Sequence, residues 1–281
     1  NHIRKCHRVL LMVWCMNMKI KLLVDADMLI FQSCSACERD VMWTDDVCTV
    51  DTNVYDAYNK LVDKMAAYEN IVYNRLMEER DDDEDIEFET VMCLSSHCNF
   101  RKVVNPDYKA NRVGKRKPCG YKRVKEMVKE NFVSIEIPWL EADDVIGINA
   151  GDNTVIISGD KDMGTLPTTF YDFSRDTFTH TSLSAADHMF FKQVLMGDKV
   201  DGYDGLPHVG KVTADKILDK DCSWHGVVAA YEEKGVNETV AVKNARMARI
   251  LRRGEYKEED GKQWIKLWGN SKFVALPEVK E

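Results

Sequence analysis

Apolar residues along the chain fall into two rhythms. Residues 19–27 read K-I-K-L-L-V-D-A-D, with an apolar L-L-V run and two acids at its end, which predicts a buried strand. The same signature recurs at Val155, Ile156 and Ile157, ahead of S-G-D-K-D, and over residues 89–94, ahead of Ser95-Ser96-His97. Residues 28–39 and 51–79 read as helices. The second carries Val54, Tyr58, Leu61, Val62, Met65, Tyr68 and Ile71 at helical spacing. Residues 170–178 have strand character broken by turns, and residues 185–195 and 212–218 read as helices. The stretch holding Lys243, Arg246, Arg249, Arg252 and Arg253, then Trp264 and Trp268, reads as a helical tail.

Acidic positions change this picture from a fold to a candidate chemistry. Asp25 and Asp27 lie two apart, so their side chains leave opposite faces unless the strand has already turned. Asp25 is the better ligand candidate, and Asp27 a helper or the cap of the next helix. Glu141, Asp143 and Asp144 open a helix-like run, E-A-D-D-V-I-G. In an α/β sheet, ligands bind at the carboxyl ends of strands, which puts Asp160 and Asp162 at such an edge. Asp198 and Asp201 are three apart and share one cation if their segment is a helical turn. Each patch alone reads equally as a helix cap or polar turn. Four together repel one another unless a cation sits among them.

Composition sets the class. The 281 residues are 44% hydrophobic and 31% charged, enough for one large or two small soluble domains. The net charge of −8 argues against a general nucleic-acid binder. Its distribution argues otherwise. Residues 78–89 are mostly acidic and read as a solvated loop. Residues 100–129 concentrate Arg101, Lys102, Lys109, Arg112, Lys115, Arg116, Lys117, Lys122, Arg123, Lys125 and Lys129 around Tyr108 and Tyr121. Gly114, Pro118 and Gly120 keep this segment from being one continuous helix. Cationic side chains neutralise phosphates, and interleaved aromatics stack on unpaired bases. Gly205-Leu206-Pro207-His208-Val209-Gly210-Lys211 is a glycine-bounded turn whose backbone groups can meet a phosphate directly or through a cation.

Nine scattered cysteines without a paired framework suit a reducing cytoplasm, and Cys34-x-x-Cys37 lacks a second such pair, so both read as ordinary core or helix cysteines. No apolar run reaches the roughly 20 residues of a membrane span. Residues 9–16, behind Arg4, Lys5 and Arg8, imitate a signal peptide without its cleavage site. Residues 1–17 read as a non-native or upstream extension, with Met18 the natural start.

V-D-A-D, then Y-K-A-N-R, E-A-D-D, S-G-D-K-D, M-G-D-K-V-D-G and G-L-P-H-V-G, in that order, resemble the 5′-nuclease (flap endonuclease) family. N-F-R-K, N-P-D-Y-K-A-N-R and D-G-Y look closest to its short phage 5′→3′ exonucleases. The resemblance spans residues 19–268. It implies an α/β PIN-like core with a mostly parallel central sheet, a helical arch or clamp, and a helix–three-turn–helix region. It divides the chain into a catalytic core over 18–184, with the basic clamp at about 100–130, a DNA-binding region over 185–271 and a tail over 272–281. It implies two magnesium or manganese ions. Asp25, Glu141, Asp143 and Asp144 would surround the first, and Asp160, Asp162, Asp198 and Asp201 the second.

By the same resemblance, Lys109 and Arg112 would touch the scissile phosphate, acting with Asp25 and Asp143 as the catalytic group. Arg101, Lys102, Tyr108, Lys115, Arg116, Lys117 and Tyr121 would hold the 5′ single strand. Gly205, Val209, Gly210 and Lys211 would hold the duplex, with potassium as a possible aid. The partner would be DNA with a 5′ single strand or flap beside duplex, or an RNA–DNA hybrid. The protein would work as a monomer, away from membranes, in the cytoplasm, that of the host if phage-encoded. The sequence departs from the family at the end of the second strand, where Ser96 stands at a position usually held by Asp. A haloacid-dehalogenase-type phosphatase, opening on Asp25-Ala-Asp27, and a non-catalytic DNA-binding module are the rival readings.

Overall fold

A computed structural model describes residues 18–79 and 85–278. The expected extension over 1–17, the middle of the acidic loop at 80–84 and the last three residues lie outside the described residues.

The chain opens with β1 (Met18–Asp25), which turns directly into α1 (Ala26–Ser35). A hairpin of β2 (Glu38–Thr44) and β3 (Val47–Thr52) precedes the long α2 (Val54–Glu78) and β4 (Ile86–Leu94). The short α3 (Arg101–Val104), α4 (Tyr121–Asn131), β5 (Ser134–Glu136) and α5 (Ala142–Asn149) follow. Then come β6 (Thr154–Ser158), β7 (Thr169–Asp172) and β8 (Thr177–His180).

Six of these strands form one sheet in the order β5-β4-β1-β6-β7-β8, parallel except for the edge strand β8. The central strand explains the layering. Leu22 and Val24 point into a core shared with Leu29 and Ile30 of α1, Leu61 and Met65 of α2, and Val124 and Val128 of α4. Leu23 points the other way, onto Val145 and Ile146 of α5. Strands covered on both faces read as continuous apolar runs, as these do. The parallel arrangement also brings Asp25, Ser95 and Asp160, which end β1 or follow β4 and β6, to one edge.

The remaining chain forms α6 (Leu183–Met196), a two-residue pairing of β9 (Gly197–Asp198) with β10 (Tyr203–Asp204), then α7 (Lys211–Leu218), α8 (Trp224–Glu233) and α9 (Glu238–Ala248). These helices bury their own core around Phe190, Val194, Leu218, Tyr231 and Ala245. Within it the Tyr231 hydroxyl donates to the Val194 carbonyl at 2.7 Å.

Several expected elements differ. The first helix stops at Ser35 rather than residue 39, and residues 38–52 form the hairpin. The alternation in R-D-V-M-W-T and V-C-T-V-D-T was its signal. The expected helical tail ends at Ala248; three antiparallel strands follow, β11 (Tyr256–Glu259), β12 (Lys262–Ile265) and β13 (Val274–Ala275). Asp260-Gly261, both at positive φ, makes the tight turn that Asp-Gly favours between strands. The basic segment is not one continuous helix, as Gly114, Pro118 and Gly120 predict: between α3 and α4 it holds a single 3₁₀ turn, Ala110–Arg112.

Asp198 and Asp201 do not sit on a helical turn but in the loop of the β9–β10 pair. That loop is closed by backbone crossing backbone. A Cβ on Gly197, at φ +70°, would lie 2.1 Å from the Gly205 nitrogen, and one on Gly205 would lie 2.1 Å from the Met196 carbonyl carbon. Gly205→Ala should therefore destabilise the protein by about 3 kcal/mol, read as a lowered urea midpoint. An unchanged midpoint would show that the crossing is not close.

Candidate active site

Local structure first explains why two acids at the end of β1 face one space. A strand sends alternate side chains to opposite faces, but helix α1 starts at Ala26, so the alternation stops at Asp25. Asp25, not Asp27, is the cap: the Met28 amide donates to its carboxylate at 3.2 Å and the Ser158 hydroxyl at 2.8 Å. Asp27, in the first turn, accepts from the Ser95 amide at 2.7 Å and the Tyr121 hydroxyl at 2.6 Å.

Glu141 caps α5, which presents Asp143 from its first turn. Asp160 receives the Asp162 amide at 2.9 Å and so starts the 3₁₀ turn Lys161–Thr165. Asp198 caps its own loop, accepting from the Val200 amide at 2.7 Å. The basic segment is tied to that loop: the Lys109 amide donates to the Asp201 carbonyl at 3.0 Å. Lys109 holds a left-handed backbone, φ +53°, a strained conformation for a side-chain-bearing residue and one concentrated at functional positions.

These pieces enclose a cavity of about 360 Å³ lined by Asp25, Asp27, Glu141, Asp143, Asp160, Asp162, Asp198 and Asp201. Lys109, Arg112, Lys161 and Ser95 complete its wall. Eight carboxylates thus meet three cationic side chains. Lys109 Nζ donates to Glu141 Oε1 at 2.6 Å, and Arg112 Nη2 to Asp201 Oδ1 at 2.8 Å.

No protein-family model matches the chain. Curated relatives do. An exodeoxyribonuclease of Enterobacteria phage T3 is 29% identical over 88% of this chain and 92% of its own length. An exonuclease of Escherichia phage T7 is 29% identical over the same shares. The structure also superposes on the T5 D15 protein co-crystallised with metal ions (TM-score 0.56, 15% identity, 82% of this chain and 88% of that one). It superposes equally on the T5 5′-exonuclease with bound zinc (TM-score 0.56, 16% identity, 82% and 89%).

This chain is similar to the phage exonucleases. It shares the 5′-nuclease fold with the T5 proteins.

Within this exonuclease-like chain, the cavity gathers Asp25, Glu141, Asp143, Asp160, Asp162, Asp198 and Asp201 of the expected metal set, together with Lys109 and Arg112. It does not gather Asp144, which is wholly buried. The Asp144 carboxylate accepts two bonds from Arg101, at 2.6 and 2.8 Å, and one from the Leu251 amide at 3.1 Å, so it holds the fold together. Arg101 itself is 3% exposed and cannot reach a strand of nucleic acid.

Tyr108 and Tyr121 are buried as well, their hydroxyls donating to Glu141 (2.8 Å) and Asp27. They are not free stacking platforms. Burial of Val209 in the helical core likewise removes its side chain from the expected DNA face. Lys102, Lys115, Arg116, Lys117, Gly210 and Lys211 are exposed and Gly205 is half-buried. Arg116 is engaged with Glu38 of the hairpin, and the Lys117 ammonium lies 4.0 Å from the centre of the Tyr121 ring. Ser95, rather than Ser96, stands on the cavity wall. Asp27, Ser95 and Lys161 were under-read; the one sequence signal for Lys161 was its place between two acids.

The donor set suits hard divalent cations, which take carboxylate oxygens. Asp162 Oδ1 is buried without a hydrogen-bond partner, an acceptor that a cation would satisfy. Among the described residues no three His, Cys, Asp or Glu side chains form a ready-made metal cage. Magnesium rarely uses one; it takes one or two carboxylates and completes its shell with water and substrate phosphate.

Electrostatics agree. Burial, then the Asp160 carboxylate, pushes Asp162 up from 3.8 to about 6. Burial does the same to Asp25, to about 6, against the bonds from Ser158 and Met28. Asp143 is raised by burial and then by Asp25 and Asp160. Glu141 goes the other way: burial alone would raise it, but the Lys109 ammonium and the Arg101 guanidinium hold it at about 2.

A folded carboxyl titrating near 6, against 3.8, binds its proton more tightly than in the unfolded chain. Its stabilising contribution is full at low pH and is lost as pH rises through about 6. In chelator, Asp162→Asn should therefore gain stability over the parent between about pH 4 and pH 7, approaching about 3 kcal/mol. Added magnesium should close the gap. Urea unfolding across this range checks it; a pH-independent difference would contradict it.

Proposed function

We propose that this chain hydrolyses DNA phosphodiesters from 5′ ends and at single-strand/duplex junctions, as a divalent-metal-dependent 5′→3′ exonuclease and flap endonuclease. The convergence of carboxylates from four chain segments beneath Lys109 and Arg112 carries this reading. The names of its relatives support it: a phage exodeoxyribonuclease, a phage exonuclease and, across 48% of this chain, a mycobacterial 5′-3′ exonuclease. The T5 D15 flap endonuclease, of similar fold, has been solved with DNA and metal ions.

Asp25, Glu141, Asp143, Asp160, Asp162, Asp198 and Asp201 would hold magnesium or manganese, and Asp27 and Ser95 would orient the first group. When bound, such ions activate water and offset charge on the leaving 3′ oxygen. Lys109 and Arg112 neutralise the scissile phosphate. Exposed Lys102, Lys115 and Lys117 guide the incoming 5′ strand by charge. The backbone of the turn at 205–211, open at Gly210, holds the duplex behind the junction, with potassium as the bridging ion. Phosphate contacts carry no sequence information, so selection falls on the 5′ end, and an RNA strand in an RNA–DNA hybrid fits the same groups. The chain works as a monomer. Among the described residues no helix is long and apolar enough to cross a membrane; the cytoplasm is the proposed place of action.

Incubation with 5′-labelled flap, nicked and blunt duplexes should give labelled products with magnesium and none with chelator. Release of phosphate from small monoesters with DNA left intact would instead identify a phosphatase. Asp143→Asn should lower cleavage at least about a hundredfold while DNA affinity stays near that of the parent. Lys109→Ala should lower turnover more than affinity; a pure affinity loss would reassign Lys109 to strand holding.

A further inference from the structure

Every donor of the Arg101 side chain is used, and its bonds reach two distant parts of the chain, at Glu141 and Asp144 and at Met247 and Arg249. A guanidinium has five N–H donors in a fixed fork. Here all five are taken. Nε donates to the Met247 carbonyl at 3.0 Å. Nη1 donates to Asp144 Oδ2 at 2.6 Å and Glu141 Oε2 at 3.2 Å. Nη2 donates to Asp144 Oδ1 at 2.8 Å and the Arg249 carbonyl at 2.6 Å. The Phe100 ring packs on it, 4.6 Å away.

This geometry joins the root of the basic segment, the start of α5 and the end of α9. Glu141 is the pivotal partner. Arg101 and Tyr108 occupy its Oε2, which leaves Oε1 turned to Lys109 at 2.6 Å. The carboxyl is thus oriented by two donors on one oxygen and delivers the other to the cation that faces the substrate.

We infer that Arg101 is a positioning residue for cleavage: it orients Glu141 and, through it, Lys109, and makes that placement depend on the end of α9 staying docked. The inference rests on the proposed cleavage reaction. It differs from a purely structural role, in which loss of Arg101 would lower stability while leaving the contribution of Lys109 intact. Lysine keeps the charge at this position but cannot supply the fork or the two carbonyl bonds.

The test is a double-mutant cycle of Arg101→Lys and Lys109→Ala, read as single-turnover cleavage rate in magnesium and DNA affinity in chelator. The expected result is a rate loss of at least about tenfold for Arg101→Lys with affinity within about twofold of the parent. Lys109→Ala added to Arg101→Lys should then cost at least about tenfold less than it costs alone. Costs that multiply within about twofold, or an affinity loss that accounts for the rate, would overturn the inference. If Arg101→Lys does not fold, Asp144→Asn carries the same cycle, since it leaves Arg101 in place and weakens the charge that seats its fork. Magnesium-dependent cleavage by the parent in the same assay separates this outcome from failure of the nuclease reading itself.

Discussion

Repulsion between carboxylates is the constraint around which this molecule is built. Eight of them face one cavity of about 360 Å³, and left alone they would drive their segments apart or take up protons. The fold resists in two ways. Backbone and hydroxyl donors hold individual oxygens, as Met28 and Ser158 do for Asp25 and as Ser95 and Tyr121 do for Asp27. Cationic side chains offset part of the charge, Lys109 at Glu141 and Arg112 at Asp201. The compensation is incomplete: burial first, and neighbouring carboxylates after it, raise the carboxyls of Asp25, Asp143 and Asp162. That incompleteness is what makes the cavity a place for cations.

The basic segment serves this arrangement in layers. Its buried members, Arg101, Tyr108 and Tyr121, are spent on the protein: each bonds an acid at or beside the cavity. Its half-buried members, Lys109 and Lys125, stand between protein and solvent. Its exposed members lie at the surface, some paired with protein groups, as Arg112 is with Asp201 and Arg116 with Glu38, and others, such as Lys102 and Lys115, open to solvent. A run of positive charge that looks uniform along the chain is therefore graded in space, from structural pins to a charged surface. Gly202 permits this layering on the opposite side, since a Cβ there would press on the Asp107 carbonyl at 2.8 Å.

The two cores divide the labour. The sheet and its flanking helices bring strand ends to one edge, while the α6–α9 unit contributes the Asp198–Asp201 loop from below. Arg101 and Arg252 stitch the two together, the latter bonding Asp187 at 2.7 Å and the Thr165 carbonyl at 2.7 Å. Two of the cavity's eight carboxylates thus depend on an interface between units that fold around separate clusters of apolar residues.

By itself the sequence determined the buried strands β1, β4 and β6, because burial on both faces demands runs such as L-L-V and V-I-I, while the short edge strand β5 carries no such run. It also singled out the acids that meet in the cavity, Asp144 excepted, because carboxylates at such density are costly unless something offsets their charge. Order along the chain could not say which way a side chain points. Asp143 and Asp144 are neighbours, yet a helix sends successive residues about 100° apart, and one lines the cavity while the other is buried on Arg101. Asp25 and Asp27 needed the strand to become a helix between them before both could face one space. The hairpin at 38–52 and the strands after Ala248 went unread because short two-stranded pieces with few buried residues leave only a weak periodic signal. Tertiary structure alone decided that Arg101, Tyr108 and Tyr121 are inside: charge and aromaticity give the same letters to a DNA contact and to a buried pin, and only the acids packed around them tell the two apart.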